Sequence, residues 1–290
     1  VNRNNGKDPG SDEGAIFIAN SSGTINITGN QISGGFEDNL RVLYDSATPD
    51  TATYNITGNS FTDLQSGNNA MINLRSATSA SASSNVTFNI GSPTDPLLGN
   101  TFDNSANQNP SPPPATQWFG DGILVTFEGP FQHNINIDNN TFTELFQAID
   151  FAANFSADVT GRIYSNDITF TEGVGAIAFG TGSSSTAAML FQLLVEDNVI
   201  GGLGNNSGNR LGSGIVGDFR GGETARVTIH QNQVRDVEVN PIRVISQSTA
   251  NAQTHLRITN NTVASIDDDA GGGFGVIPGN QVTKNAATND

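Results

Sequence analysis

Asp138, Tyr164, Glu196 and His230 are the residues whose types and spacing would support acid–base chemistry. Each closes an alternating apolar segment, as in Ile135-Asn136-Ile137-Asp138 and Val227-Thr228-Ile229-His230. If these segments are strands stacked about 4.8 Å apart, the four side chains share one outward row in which neighbours are within reach of a single sugar unit. An acid and a base beside one uronate can run β-elimination or hydrolysis. The whole row reads Thr28, Thr57, Asn89, Asp138, Tyr164, Glu196, His230 and Thr259. Its neighbour reads Asn26, Asn55, Thr87, Asn136, Arg162, Leu194, Thr228 and Arg257, so Arg162 and Arg257 flank the acid–base stretch. A solvated strand face carries mixed polar residues in any case, and that is the plainer reading of the row.

Other chemistry is thinly represented. There is no Cys, which excludes disulfides, thiolate nucleophiles and Cys-ligated zinc. His133, His230 and His255 lack metal-ligand spacing and read as exposed strand or strand-end residues. Asp267, Asp268 and Asp269, followed by Ala270 and three glycines, are weak candidates for Ca²⁺, since carboxylates on a turn supply oxygen ligands. They lack EF-hand spacing, and a solvated acidic turn is the plainer reading; no other cofactor is expected. Asn-X-Ser/Thr sites at Asn20, Asn26, Asn55, Asn85, Asn139, Asn154, Asn205 and Asn260 are mostly by-products of a repeat, with Asn154 and Asn205 placed in loops. Lys plus Arg is 12 against 28 Asp plus Glu, a net charge of −16, which argues against nucleic acid and anionic membranes as partners. No apolar run reaches the roughly 20 residues that span a bilayer.

The elements that would position these residues come from an internal repeat. Thr24-Ile25-Asn26-Ile27-Thr28-Gly29-Asn30-Gln31-Ile32 recurs from Thr53, and again as Asn134-Ile135-Asn136-Ile137-Asp138-Asn139-Asn140-Thr141-Phe142. Further copies run from Arg226 and from His255. The ladder positions are Asn30, Asn59, Asn100, Asn140, Asn166, Asn198, Asn232, Asn261 and Asn280, spaced by 29, 41, 40, 26, 32, 34, 29 and 19. A constant unit with loop insertions produces such an uneven period. Each copy has an alternating first strand, an Asn turn with one inward residue after it (Ile32, Phe61, Phe142, Val234, Val263), and a second short strand such as Leu40-Arg41-Val42-Leu43 or Ala176-Ile177-Ala178-Phe179. One copy cannot bury its apolar face alone, so copies must stack. Asn tolerates the left-handed backbone of a tight turn and can pass amide hydrogen bonds from coil to coil. A helical period is absent.

This pattern resembles the right-handed parallel β-helix repeats of the pectate-lyase-like superfamily over roughly residues 14–283. The resemblance implies an all-β, right-handed parallel β-helix of about eight to nine irregular coils with an Asn ladder and loop insertions; the handedness comes from the resemblance alone. An antiparallel sandwich is the rival. The superfamily carries lyases, glycosidases, tailspikes, adhesins and surface proteins, so it leaves function open. The Asn-Thr-Asp, Asp-Asp, His-Gly and Arg-Ile-Lys series of polygalacturonase-type hydrolases is missing, and no lyase-type set of calcium carboxylates with an Arg base can be placed.

Insertions fall at 76–84, 91–98, 103–120 (with a proline-rich run and Trp118), 181–186 and 203–213. None is long enough for a second domain, so 1–290 reads as one domain with polar segments at 1–13 and 284–290. The start at Val suggests a processed chain or a fragment, and with the acidic Asn/Ser/Thr-rich composition an extracellular or cell-surface location. No capping helix stands at either end. Three readings follow: head-to-tail self-stacking into filaments, a segment of a longer β-helix, or polar ends that suffice as caps. The expectation is a non-catalytic structural or surface protein, with self or polysaccharide as partner. The alternative is a carbohydrate-active lyase or hydrolase, or a glycan-binding β-helix.

Overall fold

The computed structural model describes residues 14–35, 37–64, 70–107, 120–186, 189–202, 207–247, 252–264 and the strand Gln281–Lys284. Trp118, Asn205, Asp267, Asp268, Asp269 and Asn280 lie outside the described residues. The chain winds as a right-handed parallel β-helix, the hand that twisted strands impose on parallel crossovers. Sheet A holds nine strands, from Gly14–Ala19 to Gln281–Lys284. Sheet B holds eight, from Gly23–Thr28 to Gln253–Thr259, and sheet C eight, from Gln31–Ser33 to Thr262–Ala264. Every pairing is parallel and joins equivalent strands of successive coils, as between Gly23–Thr28 and Thr51–Thr57. Among the described residues there is no α-helix, only two short 3₁₀ turns.

The repeat explains the sheets. Alternation in sheet B points Ile27, Ile56, Ile90, Ile137, Ile163, Val195, Ile229 and Ile258 inward in one row. Sheet A contributes Leu40, Ile72, Ile123, Ile149, Ile177, Ile215 and Ile242. The inward residue after each Asn turn sits in a third strand of two to five residues that the sequence pattern did not separate from the turn. These short strands stack Phe61, Phe102 and Phe142 with ring centroids 5.1 and 4.6 Å apart. Each row buries its apolar surface only because the next coil covers it.

Between sheets B and C the turn is short and left-handed. The residue before the ladder asparagine has positive φ at Gly29, Gly58, Asn139, Ser165, Asp197, Gln231 and Asn260, whereas Gly99, after the 91–98 insertion, is extended. Gly, Asn and Asp accept that conformation at the least cost. The following asparagine donates its amide N–H and its Nδ2 to Oδ1 of the next coil's asparagine, for example Asn100 to Asn140 at 2.9 Å for both. Its remaining Nδ2 hydrogen goes back one coil, as from Asn140 to Ile90 O at 3.0 Å. The chain of bonds runs unbroken through Asn30, Asn59, Asn100, Asn140, Asn166, Asn198, Asn232 and Asn261.

Candidate functional site

Strand pairing sets Asp138 opposite Tyr164, Tyr164 opposite Glu196, and Glu196 opposite His230, so the four predicted residues do form one row on sheet B. The row continues through Thr28, Thr57 and Gly91. Gly91 replaces the expected Asn89, and Asn89 takes the expected place of Thr87 beside Asn55 and Asn136. The 91–98 insertion caused that misreading: it separates Gly91 from the ladder Asn100 that closes its turn. Gly91 itself has φ +84°, and a Cβ there would lie 1.8 Å from Asp138 O.

The acid–base groups of this row hold one another. Arg162 clamps Asp138 through Nε and Nη2 at 2.9 and 2.8 Å, and Asp138 is buried. Burial pushes the Asp138 carboxyl up, while the guanidinium pulls it back. The Asp138 bond in turn raises Arg162, whose guanidinium lies 5.4 Å from the Tyr164 ring centroid. His230 Nδ1 meets Thr259 Oγ1 at 2.8 Å, and its Nε2 lies 4.0 Å from Glu196. The acid–base groups of this face thus brace one another. An open depression of about 630 Å³ lies beyond it, lined by Arg226, Val227, Thr228, His255, Leu256 and Arg257.

His133 corrects a second expectation. It is not an exposed strand-end residue: it is fully buried between Phe127 and Phe131, with ring centroids 4.3 and 4.0 Å away. Strand alternation places it inward, one step before the apolar Ile135. Its Nε2 meets Ser76 Oγ at 2.8 Å, and Nδ1 meets Asp158 O at 3.3 Å. Ser76 Oγ also accepts from the N–H groups of Glu128 and Gly129, at 3.0 and 3.2 Å. With both lone pairs filled, the hydroxyl donates to Nε2 and the proton of the ring sits on Nδ1. A serine against a histidine is the arrangement of an activated nucleophile, but Ser76 is 5% and His133 0% exposed, so no substrate reaches either. The pair is a core brace.

A third group was not foreseen. On sheet A, buried Asp38 accepts from Ala70 N–H at 3.2 Å and from Asn73 Nδ2 at 3.1 Å. Burial pushes its carboxyl up to about 6. Asp121 stands to Asp150 as Asp38 stands to Asn73: each aspartate lies three residues before the residue opposite its neighbour, Arg41 with Asn73 and Leu124 with Asp150. Burial, then the Asp150 charge, raises Asp121, and burial raises Asp150. In sequence Asp38 and Asp121 are turn-like acids at strand starts; only inter-coil register brings out the relationship. A group with a raised pKa contributes stability that is complete below its unfolded value and lost as pH rises through the folded value. From 3.8 to about 6, Asp38 therefore costs the fold about 3 kcal/mol by neutral pH. Asp38→Asn keeps an acceptor for Ala70 and Asn73, so urea melts should show it more stable than wild type at pH 8 and no more stable at pH 4. An equal difference at both pH values would refute the assignment.

Among the described residues no group of three or more His, Asp or Glu side chains could hold a metal ion. Comparison with protein-family models, with curated proteins and with solved structures finds no match to this chain.

Proposed function

We propose that the protein is an extracellular, non-catalytic β-helix of the pectate-lyase-like kind that serves as a structural or surface-interaction rod. One observation carries this reading: along the outward row of sheet B that holds both acidic and basic side chains, Asp138 is locked by Arg162, and His230 is engaged by Thr259 and Glu196. A general acid or base must be free to reach a substrate proton. The acidic, Asn/Ser/Thr-rich composition suits an exported protein, and the absence of Cys fits an exported or a cytoplasmic one equally. Self-assembly along the axis is part of the proposal. The first described coil leaves the core-facing Ile16, Ile18 and Ile25 only partly covered, and Leu256, Ile258 and Val263 of the coil at the other end are partly covered too. A second copy stacked coil on coil would cover both sets and pair the strand edges that lack a partner among the described residues.

The depression at Arg226 and Arg257 favours a second reading, a carbohydrate-active or glycan-binding β-helix, because an anionic sugar would find two guanidinium groups there. Two measurements separate the readings. Negative-stain electron microscopy at physiological salt should show filaments of constant width; uniform short rods would remove the assembly part. Incubation with a panel of polysaccharides should give no cleavage. Cleavage lost in both Tyr164→Phe and His230→Ala would establish the enzyme instead.

A further inference from the structure

The outward face of sheet B changes character halfway along the rod. In the first three coils and in Gln132–Asn136 of the fourth it bears only Thr, Asn, Gln and Gly. No charged side chain and no aromatic ring projects from that part among the described residues, although the chain carries a net charge of −16. Its central row is a second asparagine ladder, outward-facing this time, with Asn26 exposed and Asn55, Asn89 and Asn136 half-buried. Asn55 Nδ2 donates to Asn26 Oδ1, Asn89 to Asn55 and Asn136 to Asn89, each at 2.9 Å. Threonine rows flank it: Thr24, Thr53 and Thr87 on one side, Thr28 and Thr57 on the other, the last pair 3.3 Å apart through their hydroxyls.

Such a face is a plane lattice of hydrogen-bonding groups. Its repeats are about 4.8 Å between coils and roughly 6.7 Å between alternate residues of a strand. These are of the same order as the repeats in the oxygen planes of ice. The inter-asparagine bonds already hold the central side chains in one geometry, so little further side-chain entropy is lost on docking. The missing features exclude other occupants. A nucleic acid needs cationic side chains, and a protein partner needs aromatic or Arg anchors. A pyranose would set its apolar C–H face on a surface without an aromatic ring. Ordered water needs none of these. Immobilising a bridging water from the liquid costs up to about 2 kcal/mol, and in a crystal that ordering is already complete. We infer that the Thr/Asn face of the first four coils binds crystalline water, making this rod an ice-binding protein. The inference rests neither on end-to-end assembly nor on the absence of catalysis.

The test uses the full chain in a nanolitre osmometer and in an ice-recrystallisation assay, with serum albumin as control. Wild type should hold the freezing point below the melting point and arrest crystal coarsening. Thr53→Tyr puts a bulky ring in the middle of the lattice at an outward strand position that tolerates it, and should abolish both effects. Thr126→Tyr, on the outward side of sheet A, should keep both. Circular dichroism melts of the three proteins should agree, so that a loss of activity is not a loss of fold. Wild type no better than albumin overturns the inference, and so does a Thr53→Tyr protein as active as Thr126→Tyr. Sedimentation with insoluble cellulose or chitin, together with inactivity on ice, would assign the face to a neutral glycan and equally overturn it.

Discussion

Replacing Asn140 by Ala should lower the unfolding free energy by about 4 kcal/mol, among the largest single-residue losses in the molecule. Asn140 is buried in the middle of the ladder. Its Oδ1 accepts from both N and Nδ2 of Asn100 at 2.9 Å. Its Nδ2 donates to Asn166 Oδ1 at 3.1 Å and to Ile90 O at 3.0 Å. Alanine keeps the backbone bond to Asn166 but leaves an amide N–H, an Nδ2 hydrogen and a carbonyl in the dry interior without partners. Each such orphan costs about 1–3 kcal/mol, and the serial arrangement makes the bonds mutually reinforcing. Asn30, at the solvent-exposed start of the same ladder, supplies the comparison. Water can replace its lost bond to Asn59, so Asn30→Ala should cost about 1 kcal/mol or less. Urea melts of the two variants decide the point. Equal losses would mean that the ladder contributes through the turn conformation alone and not through buried amide bonds.

The second large effect is pH-dependent. At pH 7 His133→Ala should cost about 4 kcal/mol, from a cavity between two phenyl rings and from the loss of the partner of Ser76 Oγ. Burial lowers the imidazole from its ordinary 6.5 to about 4, against smaller upward contributions from its bonds to Asp158 and Phe131. A cation-forming group with a depressed folded pKa is neutral in the native core and charged in the unfolded chain. Its contribution is therefore present above 6.5 and lost as pH falls toward 4, a change of about 3 kcal/mol. Wild type loses that amount in acid and the variant has none to lose. The gap between them should shrink from about 4 kcal/mol at pH 7 to about 1 at pH 4. The trend has the opposite sign to that of Asp38, so Asp38→Asn and His133→Ala should shift the acid limb of the stability profile in opposite directions. A gap that stays constant with pH would show that His133 does not titrate within the fold.

Much of this fold was legible because a β-helix writes its period into the chain. An inward Ile or Val one residue before the turn and the ladder asparagine after it recur in all eight described coils of sheet B, since each coil must satisfy the same neighbours above and below. Eight of nine ladder positions carry the bonds expected of them, and Asn280 lies outside the described residues. Acid–base residues predicted to share a row do share it. What they do to one another was hidden: that Arg162 reaches back one coil to close on Asp138 depends on side-chain reach across strands 24 residues apart in sequence.

Residue types and alternation, then, sufficed for the class of fold, the inward rows and the asparagine ladder, because these are local patterns repeated under one constraint. Only the tertiary structure decided the register across the 91–98 insertion, the burial of His133 against Ser76, and the likeness of Asp121–Asp150 to Asp38–Asn73. It alone also put Asn89, in place of the expected Thr87, into the row of Asn26, Asn55 and Asn136 and joined that row as an outer ladder. The physical reason is common to the register and the contacts between coils, whereas the inward side of His133 was already set by strand alternation. Loops of unequal length erase the count between coils, and backbone pairing restores it only once the strands are stacked.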